Sequence, residues 1–346
     1  MRPGSAQLLL LLVMLVCPGG CFVLEYREWL EKAKTLKDKF YEFEEQFHPD
    51  ELLKEKVDGF KMLGTGSFGR VFEVRFRTKK NGEFFPVAVK VIKMMSEKVN
   101  NLFTEELRLN LQISKLIPDF VAITFTTFKH KEHFFLVGEK LTPLPKRLPA
   151  TDRLAIAVDV ARSLYFFHRI ERKKKRVVHC DIKPDNIMLD GSTPPKAKLI
   201  DFGVVSDEGS KMIGFSKTYI PPDYAGPALQ KNDIYALGVT ILEMFTERKY
   251  KDETKLRDEI LKLSNPFNNE QVFCSFKNVL LKMTLAAPGS RFSALQTSKA
   301  LVKLYEALLG PKHNRVLQKD ANLNFSYVTV EEILNSLCPK AKKILL

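Results

Sequence analysis

Over residues 24–47, apolar side chains at Tyr26, Leu30, Ala33, Phe40, Phe43 and Phe47 recur at three- and four-residue steps among Lys and Glu. That period predicts an amphipathic helix, closed by His48-Pro49-Asp50. After Val57 the pattern switches to short strand-like runs at 57–63, 70–76 and 85–92. A helical period over 102–116 follows, then two more strands at 121–128 and 133–137. Beyond Leu141 helices dominate, at 153–168, 233–245 and 293–309, and a short helix is predicted at 328–337. The expected class is α+β, with a strand-rich first lobe at 57–138 and a helical second lobe at 139–309. Residues 22–56 form a helical N-terminal extension and 310–346 a C-terminal tail.

The first residues carry a different signal. Arg2 precedes an unbroken apolar run over 8–16, followed by Cys17-Pro-Gly-Gly-Cys21. A basic start, a short apolar core and small residues read as a secretory signal peptide over 1–21, cleaved after Gly19 or Cys21. An uncleaved anchor is the competing reading, although the run is short for a bilayer. No later segment has the length and apolarity of a membrane span, so none is expected once the signal is removed. Cys180, Cys274 and Cys338 then remain, and three scattered thiols give neither a disulfide framework nor metal-ligand spacing. Asn324-Phe-Ser326 is a formal glycosylation acceptor with little weight of its own.

At 346 residues, with 45% hydrophobic and 28% charged residues, the chain has the composition of a globular enzyme with room for two lobes. A net charge of +14 favours anionic partners, acidic protein substrates among them. No nucleic-acid partner is expected. Arg172-Lys-Lys-Lys-Arg176 is the main local charge block, either a recruiter of acidic targets or a solvated insertion.

The chemistry lies in His179-Cys-Asp181-Ile-Lys183-Pro-Asp-Asn186, followed by Asp201-Phe-Gly203. A carboxylate, a lysine and an asparagine at this spacing can share one loop and face a hydroxyl, a phosphoryl group and a cation together. Upstream, Gly64-Thr-Gly66-Ser67-Phe68-Gly69-Arg-Val71 lies between two predicted strands. Its glycines let backbone amides approach phosphate oxygens. The same spacing marks dinucleotide folds, but there it leads into a helix, and here an alternating strand follows. Val87-Ala88-Val89-Lys90 ends a later strand. Together these segments resemble the eukaryotic protein kinase family, over roughly residues 57–309.

The resemblance implies a bilobal kinase fold, ATP and Mg2+ as cofactors, and protein substrates. It makes Asp181 the base for the substrate hydroxyl and Lys183 the neutraliser of the moving γ-phosphoryl group. Asn186 and Asp201 become magnesium ligands. Lys90 holds the α and β phosphates and pairs with Glu105 or Glu106, with Glu106 preferred because Leu102, Leu109 and Ile113 share its helical face. Nucleotide contacts are expected from Gly64, Gly66, Ser67, Phe68, Gly69, Val71, Ala88, Glu139 and Asn186. Lys183 followed by Pro184 resembles the serine/threonine branch. His179 is expected to pack beneath the site, Ser216 to contact Asp181, Asp233 to anchor the catalytic loop through its amides, and Asp223 to pair with Arg291.

Two positions depart from the family pattern. Cys180 stands where arginine is commoner, and a thiol cannot grip a phosphorylated loop with bidentate bonds. Activity without loop phosphorylation is therefore expected. Gly138, just before the hinge residue Glu139, either opens a pocket behind the adenine or marks a strand bulge. On the first reading, Gly138→Met would block bulky purine-like inhibitors and spare catalysis. A signal peptide on a compact kinase is also similar to the secreted rhoptry kinases of apicomplexan parasites, with animal secretory-pathway kinases as the rival likeness. A pseudokinase acting as a scaffold is the alternative function.

Overall fold

The computed structural model describes residues 49–53, 60–66, 69–77, 84–94 and 97–309, except 173, 193, 213, 223, 225 and 251–254. The signal segment, the helix expected over 24–47, the tail beyond Leu309, and Ser67, Phe68 and Asp223 lie outside the described residues. So do the side chains of Glu105 and Glu106. All but Leu309 of the described residues fall in the compact unit Glu42–Leu308.

The first lobe is a five-stranded antiparallel sheet of β1 (Lys61–Gly66), β2 (Gly69–Arg77), β3 (Phe84–Lys93), β4 (Thr124–His130) and β5 (His133–Glu139). Its spatial order is β1-β2-β3-β5-β4. Helix α1 (Glu97–Leu116) connects β3 to β4. Side chains alternate between faces along each strand. Phe72, Val74, Val89, Val91, Phe135 and Val137 are therefore buried on one face. Lys90, opposite Val71 on β2 and Leu136 on β5, takes the other.

Short strands form two further sheets: β6 (Thr142–Pro143), β9 (Ile187–Leu189) and β10 (Ala197–Leu199), then β7 (Glu171–Arg172), β8 (Lys175–Val178) and β11 (Ser206–Asp207). The remainder is helical: α2 (Ala150–Phe167), α3 (Gln230–Thr246), α4 (Leu256–Leu261), α5 (Glu270–Met283) and α6 (Ala294–Leu309). Every residue of α3 from Asn232 to Glu243 is buried, so this helix is wrapped on all sides and forms the axis of the lobe. No helix among the described residues is long and apolar enough to cross a membrane.

Each strand expected for the sheet is present, with ends shifted by a few residues. Helix α5 was not among the expected elements. Its apolar residues Val272, Phe273, Phe276, Val279, Leu280 and Met283 follow a helical period, and the Asn269 side chain caps it by accepting the Val272 N–H at 3.0 Å.

Candidate active site

The segment between β8 and β9 is pinned from below by one carboxylate. Asp233, 1% exposed near the start of α3, accepts the His179 N–H at 2.8 Å and the Cys180 N–H at 2.9 Å. It also lies 2.8 Å from His168 Nε2. The expected anchoring role of Asp233 is thus met. Cys180 and Asp201 both occupy the left-handed region, at φ 69° and 64°. That region costs a non-glycine residue on the order of 1–2 kcal/mol, so the surroundings must impose it.

Above this anchor, Asp181 is the focus. Lys183 Nζ donates to its Oδ2 at 2.7 Å, Asn186 Nδ2 donates to the same oxygen at 2.8 Å, and the Ser216 hydroxyl donates to Oδ1 at 2.7 Å. Lys183 Nζ also reaches Ser216 Oγ at 3.0 Å, which closes a ring around the carboxylate. Burial opposes ionisation of Asp181, but the bonds from Lys183 and Ser216, the Lys183 charge and the Asn186 amide outweigh it. The net effect holds its carboxyl below the usual range, and Asp181 is an anion at neutral pH. The expected contact between Ser216 and Asp181 is present.

His179 packs instead of ligating. It is fully buried between Phe167 and Phe202, with ring centroids 5.5 and 5.6 Å away. Its Nδ1 accepts the Asp181 N–H at 3.3 Å, and burial lowers its pKa, so the ring is neutral.

Across the cleft Lys90 Nζ lies 3.8 Å from Asp201 Oδ1. Antiparallel pairing sets Val71 opposite Lys90, and Ala88 two residues earlier on the same face. Gly64 and Gly66 lie on β1, which turns back through Gly66 opposite Gly69. A Cβ at Gly69 would sit 2.1 Å from the Val91 carbonyl oxygen, so only glycine fits there. At Gly64 a Cβ would meet nothing within 4 Å, which leaves that backbone open to approach.

Glu139 and Gly138 are both held by the segment before β4. The Glu139 carboxylate is engaged within the protein. It accepts Lys198 Nζ at 2.7 and 3.0 Å and the Ile123 N–H at 3.2 Å, while the Glu139 N–H donates to Ile123 O. Gly138 does not leave an open space for a side chain. A Cβ there would lie 2.8 Å from the Ile123 carbonyl oxygen, because β4 approaches closely at the register shift between Thr124 and Thr126. The register shift beside Gly138 fits the bulge reading, and a side chain at Gly138 requires the backbone to move.

Asp181, Lys183 and Asn186 thus share one hydrogen-bonded group, and Lys90 lies 3.8 Å from Asp201. A family model described as "Protein kinase domain" matches residues 58–314. The chain belongs to the protein kinase family. Similar proteins include "PTI1-like tyrosine-protein kinase 3" of Arabidopsis thaliana, 32% identical over 237 residues, covering 60% of this chain and 55% of that protein. "Probable serine/threonine-protein kinase PBL26" of the same plant is 30% identical over 217 residues, covering 57% and 50%. The chain spans about half the length of these curated relatives.

A protein kinase domain implies ATP and a divalent cation, usually Mg2+, and the donors here suit that cation. Asn186 Nδ2 is committed to Asp181, which leaves the amide oxygen as its acceptor. The Asp201 side chain is 43% exposed, open enough to take an ion. Magnesium takes one or two protein oxygens and completes its shell with phosphates and water. An all-protein cage is not needed, and no group of three or more His, Cys, Asp or Glu forms one among the described residues.

Sequence reading missed the buried partnership of Lys198 with Glu139, 59 residues apart. A lysine inside the apolar run Ala197-Lys198-Leu199 was the available signal, since a buried ammonium demands a partner. The expected pairs of Lys90 with Glu106 and of Arg291 with Asp223 involve groups outside the described residues. Arg291 itself is buried, donating to the Leu285 and Ala286 carbonyls and lying over the Tyr235 ring.

Proposed function

We propose that this chain is an active serine/threonine protein kinase that moves the γ-phosphoryl group of ATP to protein hydroxyls without prior phosphorylation of its own loop. The observation that carries the reading is the Asp181 carboxylate, ionised and fixed by Lys183, Asn186 and Ser216. Bound Mg2+ and ATP supply the phosphoryl group and neutralise its charge. Asp181 orients the acceptor hydroxyl and takes its proton. Lys183, one bond from that carboxylate, is placed to balance negative charge as the phosphoryl group moves. Lys90 would hold the phosphates from above, and Asn186 and Asp201 the cation. Ser216 bridges Asp181 and Lys183 and so ties the substrate-side loop to the base, and Lys183-Pro184 supports the serine/threonine assignment. The net charge of +14 favours acidic protein targets.

Independence from loop phosphorylation is supported by what surrounds Cys180. Burial pushes its thiol up to about 12, so it is neutral. It packs with Val178, Met212 and Ala228, against which Val204 and Tyr224 also rest. Apolar contacts occupy the place where a phosphate-gripping cation would be needed. The N-terminal pattern supports entry into the secretory route; onward export to a host compartment, as in rhoptry kinases, extends that proposal.

The test is labelled ATP, magnesium, a mixed protein lysate and the phosphatase-treated full chain. Label on serine and threonine is expected, lost in Asp181→Asn and retained when Ser206, Ser210 and Thr218 become alanine. Persistence of label in Asp181→Asn would favour the scaffold reading. Collapse in the alanine series would remove the claim of independence.

A further inference from the structure

The basic block before the catalytic loop is built into the activation segment that begins at Asp201. Strands β7 and β8 form a hairpin that turns at Lys174, φ 63°. On its other side β8 pairs with β11, Ser206 opposite Val178 and Asp207 opposite Val177. Across these three strands Arg172 Nε donates to Asp207 Oδ1 at 2.7 Å, and both side chains are partly buried, at 29% and 19% exposure. The next amide, Glu208 N–H, donates to Arg176 O at 2.7 Å. Gly209 N–H then donates to Ala228 O at 2.8 Å, and Ala228 N–H returns to Ser210 O at 2.7 Å. The Ser210 hydroxyl donates to Asp207 O at 2.6 Å. The apolar cluster of Cys180 and Met212 lies at the inner end of β8, which runs straight into His179 and Asp181.

We propose that Arg172 and Asp207 are positioning residues. Their ion pair holds the outgoing limb of the activation segment against the strand that carries the catalytic loop. The chain thereby supplies from its own sequence a carboxylate that ties this limb down, with no added group. This rests on the reading of phosphorylation-independent activity and names the contact that makes it possible. A lone, partly exposed ion pair contributes little. Here it is reinforced by the backbone bonds on either side, so its removal loosens several groups at once.

The experiment uses the phosphatase-treated full chain with four variants: Arg172→Ala, Asp207→Ala, the exchanged pair Arg172→Asp with Asp207→Arg, and Lys174→Ala with Lys175→Ala. The two lysines are exposed on the same hairpin and serve as the charge control. Amide exchange at Glu208 and Gly209 is read by mass spectrometry, alongside kcat and the KM for ATP. Each single variant is expected to exchange about fivefold faster and to lose on the order of threefold in kcat at unchanged KM. The exchanged pair recovers most of both, and the lysine control matches wild type. Wild-type exchange in Arg172→Ala, or no recovery in the exchanged pair, overturns the proposal. If wild type transfers phosphate only after its loop is phosphorylated, the functional reading fails while the exchange data still decide the pair.

Discussion

Asp233→Asn tests whether the catalytic loop is held by one buried carboxylate. The substitution preserves shape but replaces one acceptor oxygen with an NH2 group. Oδ2 faces the His179 N–H and His168 Nε2, whereas Oδ1 faces the Cys180 N–H alone. The amide will keep its oxygen on the two-partner side and turn its NH2 toward Cys180, donor against donor. Loss of one bond to a charged acceptor, with the two donors left facing, costs about 2–4 kcal/mol. In a domain of this size that lowers Tm by roughly 5–15 °C. Cys180 sits in the left-handed region, so without its anchor the backbone relaxes there and carries Asp181 with it. A displacement near 1 Å can cost about a hundredfold in rate. Steady-state phosphotransfer should therefore show kcat down about a hundredfold with the KM for ATP changed far less, since Lys90 stands on the other lobe. A variant with wild-type kcat that melts within a degree of wild type would refute the reasoning.

Two further predictions concern groups away from the base. Gly138→Met forces a Cβ against the Ile123 carbonyl oxygen, so β4 must shift and the Glu139 N–H to Ile123 O bond must stretch. The cost is about 1–3 kcal/mol, read as a lower Tm together with a raised KM for ATP; unchanged melting and kinetics would sink it. Burial pushes the Asp159 carboxyl from 3.8 up to about 6. The folded chain then holds more protons than the unfolded one between those values, and stability falls as pH rises through that window. Asp159→Asn removes the ionisation and keeps an oxygen for the Ala197 N–H, at 3.0 Å in the native protein. The variant should melt above wild type at pH 7 with the gap closing near pH 4, and a gap that does not change with pH would contradict the assignment.

The parts of the site that lie close together along the chain were legible in the sequence. Asp181, Lys183 and Asn186 span six residues, and their types and spacing already constrain one loop to carry them. Asp233 was legible only through the family resemblance, which implies that its carboxylate anchors the loop amides, and the structure shows those bonds. Pairs joined only by the fold were not. Glu139 with Lys198 and Arg172 with Asp207 lie 59 and 35 residues apart. No local pattern distinguishes such charges from solvated ones until the strands are placed. At Gly138 the missing side chain was visible, but the Ile123 carbonyl that a Cβ would meet depends on a neighbouring segment's placement.

The two left-handed residues show how these distant contacts serve the chemistry. Cys180 and Asp201 flank the segment that holds Asp181 and Asn186, and each conformation is one an isolated chain would avoid. Asp233 fixes the first from below. Phe202, which follows the second, is 2% exposed, stacked on Phe167 and edge-on to His179. A loop so restrained need not find its geometry anew when substrate arrives, which lowers the reorganisation a reaction must await. An arginine in place of Cys180 would bring a guanidinium into the apolar cluster around Met212 and Ala228, where only a matching anion could keep it. The thiol needs no such partner, so the ordering of this segment falls to packing and to the Arg172–Asp207 pair.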